Sequence, residues 1–287
     1  MNVLASLTSL DLDDFLDRFL EEAVSVLVTS SVVLVIDKPL PGNINMDRDK
    51  SLYAYLANKL IPASLKKAAY KSSSATSSAM KSSSSPAIIR IYQWQHPTIT
   101  IGRNQPACET LFDMESISDA NISLVRRITG GRAVLHAHEL TYAVMAAADH
   151  PILGGGIKES YTAIAKILMN FIKTVTQTGT PEIHYVLPRA QRSQNSASCY
   201  DSLGWAEITI DGRKLIGSAQ RRSKTAFLEH GSIPVNLPKK QLEYWLKPAM
   251  QPTQPVNYTS LSQFTQTPPS FQHLSHTLAQ CFLKALS

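Results

Sequence analysis

The stretch Ala206–Ala219, AEITIDGRKLIGSA, decides the fold class. Asp211-Gly212 stands between two short apolar-rich runs, and Asp-Gly suits a tight hairpin turn because both central residues of a type I′ turn need positive φ. The spacing predicts one strand over Ala206–Ile210 and a second over Lys214–Ala219. Downstream, Thr225–Val235 reads as a further strand. Upstream, strands are expected at Ile88–Trp94 and Thr98–Ile101, split by His96-Pro97, then at Ile122–Arg126, Ala133–His136 and Glu139–Ala146. Helical periodicity marks Ile157–Thr178, where Ile157, Tyr161, Ile164, Leu168, Ile172 and Val175 form one stripe. It marks Phe271–Leu286 as well, with Phe271, Leu274, Leu278, Cys281 and Ala285 on one face. Near the start, residues 9–28 read as a helix capped by Ser9 or Asp11, with Leu12, Phe15, Phe19, Ala23 and Val26 at helical spacing. Ser31–Asp37 follows as a strand and Met46–Leu60 as a helix. The sum is an α+β chain, a mixed sheet flanked by helices. The expected organisation is a helical extension over 1–30, a main domain over 31–240 and a helical C-terminal segment over 241–287. Inside the main domain, the Ser-rich run KSSSATSSAMKSSSS (71–85) lacks the bulk to pack and reads, with Pro86, as a flexible loop.

Composition narrows the function. The excess of 28 Lys+Arg over 22 Asp+Glu in 287 residues gives a net charge of +6, which favours acidic partners. No basic run is interleaved with aromatics, so a nucleic-acid partner is not expected. Cys108, Cys199 and Cys281 are widely spaced, with no CxxC pair. Neither a disulfide framework nor a metal site is signalled, and the expected compartment is reducing and cytoplasmic. The longest apolar stretch, Ala23–Ile36, is interrupted by Ser and Thr and falls short of the ~20 residues that span a bilayer. Asp11, Asp13 and Asp14 stand where a signal peptide would be basic, so no targeting segment is read.

Three places offer chemistry. In Arg126–His136, RRITGGRAVLH, Gly130 and Gly131 let backbone approach a ligand, and Arg126, Arg127 and Arg132 supply charge; an ordinary Gly-Gly loop with solvated arginines would read the same. The run lacks P-loop spacing. In the hairpin, Lys214 follows the tight turn, and Gly217 and Ala219 leave room beside it; an exposed hairpin lysine is the plainer alternative. Cys199, flanked by Ser198, Tyr200 and Asp201, is the thiol with polar neighbours, whereas Cys281 fits an apolar helix face. A nearby cation lowers a thiol's pKa and makes it a nucleophile. His136 and His138, two apart on a strand, share a face but find no third metal ligand. His230 is either structural or close to the site.

At these residues the chain resembles the biotin/lipoate protein ligase family. The likeness is carried by Arg126–Tyr142 (RRITGGRAVLHAHELTY) and Ser198–Ile233 (SCYDSLGWAEITIDGRKLIGSAQRRSKTAFLEHGSI), with weaker support from Asn43–Leu52 and Ile88–Gln105. It is nearest to the cysteine-dependent octanoyltransferase branch. The resemblance implies a mixed sheet flanked by helices. It implies that Cys199 accepts the acyl group beside Lys214. Gly130, Gly131 and Arg132 would line an acyl pocket with Arg127 and His136 near, and Gly217, Ser218 and Ala219 would form its far wall. The branch usually has an acidic residue after the histidine; here Ala137 stands there.

What the resemblance implies chemically is acyl transfer without a cofactor. Octanoyl would move from acyl carrier protein to Cys199, and then to a lysine of an apo lipoyl domain, such as those of 2-oxoacid dehydrogenase E2 or the glycine cleavage H protein. Acidic partners of this kind suit the net charge. An ATP-dependent lipoate–protein ligase is the alternative in another enzyme class, and transfer between two lipoyl-domain proteins is a further variant. A decayed, non-catalytic binding protein is disfavoured by retention of Cys199, Lys214 and both glycine loops. A biotin ligase is disfavoured by the absence of its Gly-Arg-Gly-Arg loop.

Overall fold

Three strands buried on both faces organise the molecule. The computed structural model describes residues 23–28, 32–59, 87–185, 205–252, 256–267 and 269–287. An eight-stranded sheet has the spatial order β1 (Ala23–Val28), β2 (Val32–Asp37), β3 (Ala87–Tyr92), β7 (Glu139–Ala147), β11 (Ala226–Pro234), β10 (Arg213–Arg222), β9 (Trp205–Ile210), β8 (Pro181–Tyr185). Its described pairs are antiparallel except β2 with β3. A three-stranded sheet places β4 (Thr98–Ile101) between β5 (Ser123–Arg126) and β6 (Val134–His136).

Every residue of β3, β7 and β11 is buried, so these strands are covered on both faces. On one face Ile89, Ile91, Tyr142, Val144, Phe227 and Ile233 join a core with α4 (Ile157–Val175) and α6 (Phe271–Leu286). The α4 stripe supplies Ile164, Leu168, Ile172 and Val175, and α6 supplies Leu274, Leu278 and Phe282. Helix α6 starts at Ser270, whose hydroxyl accepts from His273 N at 3.2 Å, the usual way to satisfy a first-turn donor. On the other face, α1 (Gly42–Lys59) brings Met46, Leu52 and Leu56 against Ile88, Tyr92, Ala143, Met145 and Leu228.

Several expectations are corrected. The helix expected over 9–28 gives way at its end, because Ala23–Val28 is a strand that pairs with β2; residues 9–22 lie outside the described residues, as does the Ser-rich run. The C-terminal segment over 241–287 does not stand apart from the main domain. Its helix α6 is built into the main core, since one apolar stripe can be buried only against another element. His136 and His138 do not share a strand face: β6 ends at His136, and His138 is exposed in the turn to β7. Strand β8 and the short helices α2 (Cys108–Leu111) and α3 (Met114–Asp119) had no sequence counterpart, nor did α5 (Leu242–Trp245).

One irregularity matters for the site. In the β9/β10 hairpin, Lys214 pairs with Thr209 but Ile216 pairs with Ile208, so β10 carries one extra residue. Such a bulge re-aims side chains. Strict alternation would put Lys214 and Gly217 on opposite faces. With the bulge, Leu215 and Ile216 both enter the α4/α6 core, and a Cβ added at Gly217 would lie 3.2 Å from Lys214 Cε and 3.4 Å from Nζ.

Candidate active site

A cavity opens on the α1 face, between the large sheet and the small one. It encloses roughly 370 Å³, solvent mouth included, which is small for a ligand pocket. Met46 of α1, Tyr92 of β3 and Trp94 form one side, Gly217, Ser218 and Ala219 of β10 another, and Thr100, Arg127, Val134 and His136 the roof. Thr141, His230, Gly231 and Ser232 complete it from β7 and β11.

Many of these residues are polar, yet their polar atoms are occupied with one another. Arg127 is buried at the centre. Its Nε donates to Thr129 Oγ1 at 3.2 Å, and one terminal nitrogen donates to Thr100 Oγ1 at 3.1 Å. Thr129 Oγ1 lies 2.6 Å from His230 Nε2, and His230 Nδ1 lies 3.0 Å from Asp49 Oδ2. On the other arm Thr100 Oγ1 lies 2.8 Å from His136 Nε2, and His136 Nδ1 lies 2.7 Å from Glu139 Oε1. The two arms follow one pattern: a guanidinium, a threonine hydroxyl, an imidazole, a carboxylate. Where a neutral imidazole donates its Nδ1–H to the carboxylate, Nε2 is left to accept from the threonine.

The charges at the ends are compensated. Burial would lift the Asp49 carboxyl, but Arg90 and His230 outweigh it and hold Asp49 below the ordinary range. Arg90 reaches Asp49 at 2.7 Å and Asp37 at 2.6 Å. Burial would lift Glu139 as well, yet His136, Ser232 and Thr141 together hold it low; Trp94 Nε1 donates to it at 3.1 Å. Burial lowers the pKa of His230, opposed by Asp49. Trp94 stacks on His136 with ring centroids 4.0 Å apart. Buried polar networks are stabilising only when their members are satisfied. This one is linked throughout, so the cavity it surrounds can present hydrocarbon.

The glycine loop is held from inside. Arg127 donates to Gly130 O at 2.7 Å and Arg132 O at 2.6 Å. Gly131 has φ +85°, a conformation that a side chain would strain, and a Cβ there would meet an Arg127 terminal nitrogen at 2.8 Å. Of the residues singled out from sequence, Arg127, His136, Gly217, Ser218 and Ala219 line the cavity. Gly130, Gly131 and Arg132 lie outside the lining, although a Cβ at Gly131 would come 3.7 Å from Ala219 Cβ. The Ser218 hydroxyl is engaged by Tyr142 at 2.6 Å.

Lys214 is 2 % exposed, and its Nζ is 2.6 Å from Glu207 Oε1. It does not line the cavity but lies behind Gly217, which does. Cys199 lies outside the described residues; it stands six positions before Trp205, the first residue of β9. Burial pushes up the thiols of Cys108 and Cys281, which disfavours their thiolates. Sequence reading missed Trp94, Thr100, Thr141 and Ser232, ordinary strand residues until the sheets are assembled. It missed Glu207 too, although an acid in a mostly apolar strand, two residues before the Thr209 that pairs with Lys214, was a usable signal.

Comparisons with known proteins fit this geometry. Residues 69–283 match the model of the lipoyl protein ligase A/B catalytic domain. The octanoyltransferase LipM of Moorella thermoacetica is 41 % identical over 180 residues, covering 62 % of this chain and 63 % of the relative. That of Kyrpidia tusciae is 33 % identical over 213 residues, covering 70 % and 76 %. The match thus spans less than two thirds of the Moorella relative's length. Among solved structures, lipoate-protein ligase A bound with ATP superposes with a TM-score of 0.59 at 20 % identity, over 88 % of this chain and 84 % of that one.

Proposed function

From the premise that this chain belongs to the lipoyl protein ligase A/B catalytic-domain family, we propose that it is a cysteine-dependent octanoyltransferase. The observation that carries this reading is the apolar cavity whose end wall, Gly217, backs directly onto the buried Lys214 ammonium. Apolar walls of this kind suit a short acyl chain, whose carbonyl would lie toward the cation. The Cys199 thiolate attacks the thioester of octanoyl-acyl carrier protein, a new sulfur–carbonyl bond forms, and the carrier thiol leaves with a proton. The amine of an acceptor lysine on a lipoyl domain then attacks that thioester. An amide forms and the Cys199 thiol is released.

Lys214 stabilises negative charge at the thiolate and at the developing oxyanion, an effect typically of about 10²–10³ in rate for one donor. Arg127, His136, Ser218 and Ala219 shape the cavity, and the loop of Gly130, Gly131 and Arg132 borders it. No bound cofactor is needed for these steps, and a reducing cytoplasmic setting keeps the thiol available. No described helix is long and apolar enough to cross a membrane.

The test is a donor panel with one apo lipoyl domain: octanoyl-acyl carrier protein, an octanoylated lipoyl protein, or lipoate with ATP. Intact-mass analysis is expected to find an octanoyl adduct on the wild-type chain with the first donor and none on Cys199→Ser. Release of AMP with lipoate, and no adduct with either octanoyl donor, would make the chain a ligase instead.

A further inference from the structure

We propose that Glu207 is a positioning residue for this transfer, holding the Lys214 ammonium at the cavity end; the inference rests on the reading just given. Lys214 is fixed at both ends. Its backbone is clamped by the segment after 256: Lys214 N donates to Asn257 O at 3.0 Å, and Thr259 N donates to Lys214 O at 2.8 Å. The bulge turns the side chain to the face it shares with Thr209 and Glu207. At the far end, Nζ meets Glu207 Oε1 at 2.6 Å, with the two side chains only 2 % and 6 % exposed.

Stability does not account for this pair. A buried ion pair gains little over well-packed hydrocarbon of the same volume. Moreover, Glu207 Oε2 is buried and finds no hydrogen-bond partner among the described residues, a costly arrangement for a carboxylate. Thr209 Oγ1, on the same face, is likewise without one among those residues. A half-satisfied acid next to a cavity wall is poor packing but a good anchor. Lysine has four rotatable stem bonds, and a charge that must meet an oxyanion within a few tenths of an ångström has to be held.

The experiment is a mutant cycle on the full chain with octanoyl-acyl carrier protein and an apo lipoyl domain, using Glu207→Gln, Lys214→Met and the pair, with Tm recorded for each. Glu207→Gln is expected to lower kcat about 10–100-fold with KM changed less than threefold, and to add less than threefold to the loss in Lys214→Met. Full activity in a folded Glu207→Gln, or losses that multiply in the double variant, overturns the inference. Should Glu207→Gln not fold, Glu207→Asp decides: it keeps the charge but draws it back by one methylene. Reduced kcat at unchanged Tm supports positioning, and wild-type kcat overturns it. A dead Lys214→Met beside a fully active Glu207→Gln removes this inference alone. A wild-type chain inactive with every donor, or a fully active Lys214→Met, removes the octanoyltransferase reading and the inference with it.

Discussion

On the α4/α6 side of the large sheet, Val144, Phe171, Phe227, Leu278 and Phe282 meet as hydrocarbon, and shape complementarity does the work. On the α1 side, the same strands turn Arg90, Thr141, His230 and Ser232 inward, each with a hydrogen-bonded partner. The alternation of β3, β7 and β11 therefore sorts one sequence into two unlike interiors. The dry side resists deformation because close-packed side chains leave little slack. The polar side is fixed by directional bonds, which locate a cavity without filling it. Specificity of arrangement and strength of cohesion are supplied by opposite faces.

That contrast can be broken from either side. Asp49→Ala strikes the polar face hardest. It removes the acid shared by Arg90, Tyr92 and His230, and loss of one buried charged partner typically costs about 3–5 kcal/mol. Urea unfolding followed by circular dichroism should show that loss, and on the octanoyltransferase reading proposed above the remaining folded protein should transfer octanoyl poorly because His230 and the Tyr92 wall are unanchored. Leu278→Ala strikes the dry face. It should cost about 2–5 kcal/mol through lost burial and a cavity, while kcat per folded molecule stays within twofold. If kcat collapsed instead, the two faces would not be separable.

The third test uses the exception on the dry side. Burial lifts the Glu229 carboxyl from 4.5 to about 8, with Gln220 and Tyr142 opposing. Below about pH 4 it is protonated in both the folded and the unfolded chain and makes no difference. Between 4.5 and 8 the unfolded chain releases the proton and the folded chain keeps it, so stability falls as pH rises through that window. Glu229→Gln should match the wild type near pH 4 and exceed it by on the order of 3 kcal/mol at pH 7. A constant difference across pH would show that Glu229 is ionised inside the fold.

What could be read beforehand divides along similar lines. The α4 and α6 stripes and the Asp211-Gly212 hairpin were legible because local periodicity and turn chemistry determine them. Ala23–Val28 was not. Its apolar residues continue a 3–4 spacing begun at Leu12, yet they serve as an edge strand against β2, a tertiary outcome no local pattern encodes. Of the cavity's lining, Arg127, His136 and the Gly217–Ala219 run had been singled out beforehand by glycine spacing, hairpin position and motif likeness. The threonines at 100 and 129 were invisible, since each matters only for a histidine brought from 36 or 101 residues away. Cys199 stays where the sequence put it, outside the described residues.

The extra residue in β10 sets a counting rule. Because Leu215 and Ile216 both point to hydrocarbon, the lysine and the first small residue of the wall are aligned at Lys-x-x-Gly, an odd step that a regular strand would split between its two sides. Deleting either intervening residue would leave the composition of this run almost unchanged while sending the ammonium into oil or the glycine away from it. In chains of this shape, the interval between those two positions is thus as informative as their identity.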